Sequence, residues 1–118
     1  MKKDININQL DLSMENYINE TVSFYDDNVE DYINNTEKLQ DLDWLKKFIK
    51  KLKSKSRVLD LGCAFGRDTQ FFVDKGFDSY GVDLSKEFIK KAKKRVPLAK
   101  FEVGNLLNLS YEDDYFDG

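Results

Sequence analysis

Apolar positions along this chain follow two rhythms, short continuous runs and helical stripes, and from about residue 41 onward the two alternate. The run Val58-Leu59-Asp60-Leu61 is too short for a buried helix and suits a parallel strand covered on both faces. Further strands are predicted at about 78–83 and 99–103. Between them, a helix over about 67–75 packs through Phe71, Phe72 or Val73 and ends at Gly76. A second follows Ser85 as N-cap, turns Phe88, Ile89, Ala92 and Val96 inward, and stops at Pro97. Upstream, Leu42, Leu45, Phe48, Ile49 and Leu52 form one stripe, capped by Asp41 or Asp43. Tyr25, Val29, Tyr32 and Ile33 recur at helical spacing over about 23–35. Residues 1–22 are polar and Asn-rich with no sustained period, and read as a mobile arm or a short lid helix preceding a unit at 23–118. This alternation predicts an α/β fold with a parallel sheet.

The junction after the first strand holds the candidate chemistry. Gly62 and Gly66 allow a sharp turn and close approach of backbone to a ligand. Asp83 ends the second predicted strand, where a carboxylate can accept hydrogen bonds from both hydroxyls of a ribose. A dinucleotide fingerprint fails, because Ala64 and Arg67 stand where its second and third glycines belong. A P-loop fails as well, since no Gly-Lys-Ser or Gly-Lys-Thr follows. What remains is Asp60-x-Gly62-x-Ala64-x-Gly66. An acid there repels a pyrophosphate but attracts an ammonium or sulfonium group.

With that acid in place, residues 58–66 resemble motif I of the class I S-adenosylmethionine-dependent methyltransferases, acid-x-Gly-x-Gly-x-Gly, with Ala64 at the middle glycine. Gly81-Val82-Asp83-Leu84-Ser85 resembles the second motif of that family, and Phe101-Glu102-Val103-Gly104-Asn105-Leu106 the third, with Gly-Asn for the usual Gly-Asp. Residues 111–118 resemble the run leading into the fourth strand. Phe24-Tyr25-Asp26 with Tyr32 resembles the entry segment of small-molecule methyltransferases, including the tellurite-resistance and quinone-biosynthesis types.

The resemblance implies a Rossmann-like, three-layer α/β/α fold with strand order 3-2-1-4-5-7-6. Strands 3-2-1 are expected in this chain and strands 4–7 are absent from it. It implies S-adenosyl-L-methionine as cofactor and a small-molecule methyl acceptor. Asp60 then holds the methionine end or, alternatively, steadies the glycine turn. Gly62, Cys63, Ala64 and Gly66 give backbone access, with the Cys63 thiol a small filler of the turn. Asp83 takes the ribose, unless it serves only as a charge at the Ser85 helix. Leu84 packs on the adenine, Asn105 offers its amide oxygen to the adenine amino group, and Leu106 offers its N–H to a ring nitrogen. Tyr25 and Tyr32 either close over the sulfonium by cation–π contact or pack the core. Arg67 either reaches the cofactor carboxylate or caps its helix. No catalytic base is assigned.

Composition narrows the field further. The 118 residues, 41% hydrophobic, suffice for one small domain. No apolar stretch is long enough to span a bilayer, and the start lacks the apolar core of a secretion signal. One cysteine forms no internal disulfide, which suits the cytoplasm. Without histidine the chain has no histidine base or metal ligand, and no metal site is expected. A net charge of −3 argues against nucleic acid, so the lysine-rich runs read as solvated helix faces. The first strand, central in the family sheet, is expected to expose an unpaired apolar edge through Val58, Leu59 and Leu61, which predicts homodimerisation. The rival functional reading is a cofactor-binding module without turnover.

Overall fold

The computed structural model describes residues 7–37 and 42–118, with side chains of the first helix described from Met14 onward. The element order is α1 (Ile7–Asp27), α2 (Val29–Thr36), α3 (Leu42–Ile49), β1 (Arg57–Leu61), α4 (Arg67–Asp74), β2 (Asp78–Asp83), α5 (Lys86–Arg95) and β3 (Lys100–Val103). The strands form one parallel sheet in the order β1-β2-β3, with Val58 opposite Ser79, Asp60 opposite Gly81, and Gly81 opposite Phe101. The order matches the 3-2-1 arrangement that the family resemblance implies for this part of the sheet.

Side chains alternate across a strand, so Val58, Asp60, Gly81 and Phe101 share one face. On that face Val58 packs with Phe72 of α4 and Leu45 of α3. Phe101 packs with Ile89, Ala92 and Val96 of α5 and with Cys63. Gly81 is small for a reason: a Cβ there would lie 2.6 Å from the Phe101 ring. The opposite face carries Tyr80, on which Tyr111, Tyr115 and Phe116 pack at centroid distances of 6.1, 5.7 and 5.0 Å.

Those aromatics turn the end of the chain back along β1. The Asp117 N–H donates to the Arg57 carbonyl at 2.8 Å, and the Leu59 N–H donates to the Gly118 carbonyl at 2.9 Å. The Asp117 carboxylate also accepts from the Arg57 N–H at 2.8 Å. The β1 edge expected to stand open is therefore occupied by the chain itself as far as Leu59. That narrows the open edge to its end at Leu61, which is 51% exposed.

The N-terminal region differs from expectation. Helix α1 begins at Ile7 and passes through the boundary expected at residues 22 and 23, while the helix expected over 23–35 is broken at Asn28. Asn28 Nδ2 donates to the Phe24 carbonyl at 2.7 Å, closing the end of α1. The C-terminal turns of α1 are held by packing rather than by a periodic apolar stripe. Tyr25 meets Phe88 at 5.7 Å, and Asp26 accepts hydrogen bonds from Ser85 Oγ and the Glu87 N–H. Ser85 caps α5 as expected, accepting from the Phe88 N–H. Asp43 lies inside the first turn of α3, and the alternative cap Asp41 lies outside the described residues. No helix among the described residues is long and apolar enough to cross a membrane.

Candidate functional site

The turn between β1 and α4 is built from left-handed backbone. Gly62, Ala64 and Gly66 have φ of 72°, 49° and 87°. The N–H groups of Gly62 and Cys63 both donate to the Val82 carbonyl, at 2.8 and 3.1 Å, seating the turn over the end of β2. Gly66 lies beneath the surface, where a Cβ would come within 3.4 Å of Phe101, Val96 and Ala92. Its smallness serves helix packing. At Gly62 a Cβ would meet nothing within 4 Å, so that backbone faces open space.

Two cavities meet at Gly62. One, of about 120 Å³, is lined by Thr21, Val22, Tyr25, Gly62, Asp83, Leu84, Ser85 and Leu106. The other, of about 110 Å³, is lined by Tyr32, Thr36, Asp60, Gly62, Cys63, Ala64, Phe65, Arg67 and Asp68. Each alone, and the two together, fall short of the roughly 300 Å³ where ligand pockets begin. A nucleoside-sized ligand would therefore span both and extend into the open space over the Gly62 bend. Larger hollows lie elsewhere, among them one of about 330 Å³ lined mainly by acids at the α1–α2 junction, but they do not touch this turn.

Asp83 joins the two halves of the site. Its Oδ2 accepts from the Ala64 N–H at 2.9 Å and its Oδ1 from the Ser85 N–H at 3.0 Å. One carboxylate thus ties the glycine turn to the start of α5. Asp60, half-buried, accepts from the Thr69 hydroxyl at 2.7 Å through Oδ2. Burial pushes its carboxyl up to about 6; the Thr69 hydrogen bond opposes that rise, and the nearby Asp68 and Asp83 charges add to it. Burial, with the same two carboxylates Asp60 and Asp83, also holds the Cys63 thiol far above its ordinary value, so it is no nucleophile.

Most residues singled out from the sequence converge here. Asp60, Gly62, Cys63, Ala64, Asp83, Leu84, Leu106, Tyr25 and Tyr32 line one cavity or the other. The two tyrosines do double duty, packing edge-on to each other at 5.8 Å and against Phe88 at 5.7 and 5.0 Å. Asn105 stands apart: it is exposed, lines neither cavity, and its side-chain oxygen accepts from the Leu107 N–H at 2.9 Å. The Asn105 oxygen caps a local turn. Arg67 donates to the Thr36 carbonyl at 2.7 Å and reaches Asp68 at 3.3 Å, joining α4 to the end of α2. Sequence reasoning missed Thr69, and it named Asp26 without its bond to Ser85. Thr69 had a legible signal, since it precedes Phe72 and Val73 by three and four residues on the inward side of α4.

Ala64 makes a testable case. A side chain in left-handed backbone costs about 1–2 kcal/mol, while glycine adds up to about 1 kcal/mol of unfolded-chain entropy. These nearly cancel, so Ala64→Gly is expected to leave urea-unfolding stability unchanged within about 0.5 kcal/mol. Ala92→Gly, inside α5, should lose more than about 1 kcal/mol. A comparable loss in both variants contradicts the strained turn.

Comparison with known proteins identifies the family. Residues 58–118, just over half the chain, match the family model described as a methyltransferase domain. A demethylmenaquinone methyltransferase of Paenarthrobacter aurescens is 33% identical over 66 residues, covering 56% of this chain and 26% of that protein. A malonyl-[acyl-carrier protein] O-methyltransferase of Hamiltonella defensa is 38% identical over 63 residues, covering 53% and 24% respectively. A TehB-like SAM-dependent methyltransferase of Corynebacterium glutamicum superposes with a TM-score of 0.67 and 26% identity, over 80% of this chain and 53% of that one. The chain thus spans about a quarter of the length of these curated relatives. The family match over more than half of the chain, together with the superposition, shows the family: the chain belongs to the class I S-adenosylmethionine-dependent methyltransferases.

Proposed function

We propose that this chain binds S-adenosyl-L-methionine across the Gly62 bend and serves methyl transfer to a small-molecule acceptor. The observation that carries the reading is the placement of two carboxylates, Asp83 at one cavity and Asp60 at the other, with open backbone between them. The donor set fits such a group: acceptors for ribose hydroxyls at Asp83, an anion for an ammonium at Asp60, and apolar Leu84 and Leu106 for a base. When bound, the cofactor supplies a methyl group activated by the positive charge on its sulfur. The part left to the protein is to hold both ends of the ligand and exclude water. Tyr25 and Tyr32 contribute ring faces and edges around that bend. The acceptor class rests on the small-molecule character of the family and of the quinone-type relative. A cytoplasmic location belongs to the same reading, favoured by the single, reduced cysteine.

Titration calorimetry with S-adenosylmethionine, S-adenosylhomocysteine and NAD tests this. The first two are expected to bind and NAD to fail, because Asp60 meets the pyrophosphate with like charge. Binding of NAD, or of none of the three, overturns it.

A further inference from the structure

The chain has three threonines, at positions 21, 36 and 69, all in helices. Two bond back along their own helix: Thr21 Oγ1 donates to the Tyr17 carbonyl at 2.9 Å and Thr36 Oγ1 to the Tyr32 carbonyl at 2.6 Å. Thr69 does not. Its hydroxyl crosses from α4 to β1 and donates to Asp60 Oδ2 at 2.7 Å, and the residue is fully buried. A valine would fill the same space beside Phe72 with no polar atom to satisfy. What the hydroxyl adds is directed at Asp60.

We infer that Thr69 is a positioning residue, which orients the Asp60 carboxylate so that its second oxygen can receive the ammonium end of the cofactor. The inference rests on the cofactor reading above. Other groups act on Asp60 from every side: Asp68 and Asp83 oppose its charge, Arg67 favours it, and the Cys63 thiol and Tyr32 line the same cavity. Among the influences that favour the charged form, the Thr69 bond is the largest, against a burial that disfavours it. It is also the one with a fixed direction. A free carboxylate rotates, whereas one held through Oδ2 presents Oδ1 in a single orientation.

The test combines two measurements on the chain as it stands. Carbon-13 NMR follows the Asp60 carboxyl through a pH titration without ligand, and calorimetry follows S-adenosylhomocysteine binding from about pH 5 to 8. Thr69→Val is expected to raise the Asp60 midpoint by about one pH unit and to weaken binding about tenfold at pH 7. Thr69→Ser should restore both values. In an Asp60→Asn background, Thr69→Val should change affinity less than about twofold, since the group it acts through is gone. If the valine variant does not fold, Thr69→Ala carries the same expectations. An unmoved midpoint overturns the positioning role whether or not ligand binds. A moved midpoint with unchanged affinity severs the role from binding. Absence of binding by the unsubstituted chain overturns the cofactor reading and this inference with it, and calorimetry alone reports that failure.

Discussion

Asp83→Ala is expected to reduce S-adenosylhomocysteine affinity by about 100-fold or more, the largest loss foreseen for a single substitution here. Two effects add. A carboxylate accepting from two ribose hydroxyls contributes two charge-assisted hydrogen bonds, each worth about 1.5–3 kcal/mol. The same carboxylate holds the Ala64 and Ser85 N–H groups at 2.9 and 3.0 Å, so its loss also frees the turn that shapes the cavity. Urea unfolding of the unliganded variant should show a drop of about 1–3 kcal/mol from the two orphaned backbone donors. Asp83→Asn separates the effects: one side-chain oxygen still accepts, so stability recovers more than affinity does. Affinity left intact in Asp83→Ala excludes this carboxylate from the site.

Asp60→Asn should move stability and binding in opposite directions. Burial raises this carboxyl from 3.8 to about 6, so the folded state resists its ionisation while the unfolded chain does not. Between these values the unfolded chain binds fewer protons, and stability falls as pH rises. The loss is absent below about pH 4, grows to about pH 6, and stays constant above. Asparagine never ionises, and its oxygen can still accept from Thr69. The variant is therefore expected to match its parent in acid and exceed it at pH 7 by on the order of 1–2 kcal/mol, after discounting for the solvent that still reaches the carboxylate. Cofactor affinity at pH 7 should fall at least about tenfold, because the ammonium loses its anion. Thermal unfolding across pH, paired with calorimetry, reads both. A variant no more stable than its parent at pH 7 means the burial costs nothing.

These opposed effects make a physical point about the site. A charged group half out of water weakens the fold unless a ligand compensates it. Residues kept only for packing would not carry that cost. The N–H groups of Gly62, Cys63 and Ala64 go to Val82 and Asp83, so the observed bonds of the turn do not use Asp60.

How much of this was legible depends on the range of the interaction. The three strands and the helices after β1 were readable within a residue or so, because each strand sets a short run with a buried apolar residue, Val58, Val82 or Phe101, between helical stripes. Ser85 and Pro97 bracket α5 by local hydrogen-bond chemistry, which sequence carries directly. The length of helix α1 was hidden because it is held at its C-terminal end by Asp26 on Ser85 and Tyr25 on Phe88, contacts spanning some 60 residues, not by an apolar stripe. The local bond of Asn105 was hidden for a different reason. Its place in the motif was recognised, but a neighbouring backbone N–H had the nearer claim on its oxygen.

Taken alone, the order of residues determined the α/β alternation, the position of the bend and the two acids flanking it, since each follows from local sterics, periodicity or charge. Tertiary structure decided what no local rule reaches. It set which hydroxyl holds Asp60, which helix closes the Asp83 cavity, and whether the outer edge of β1 stays open. Each of these is a contact between segments far apart in sequence, and such contacts are chosen by the whole packed chain.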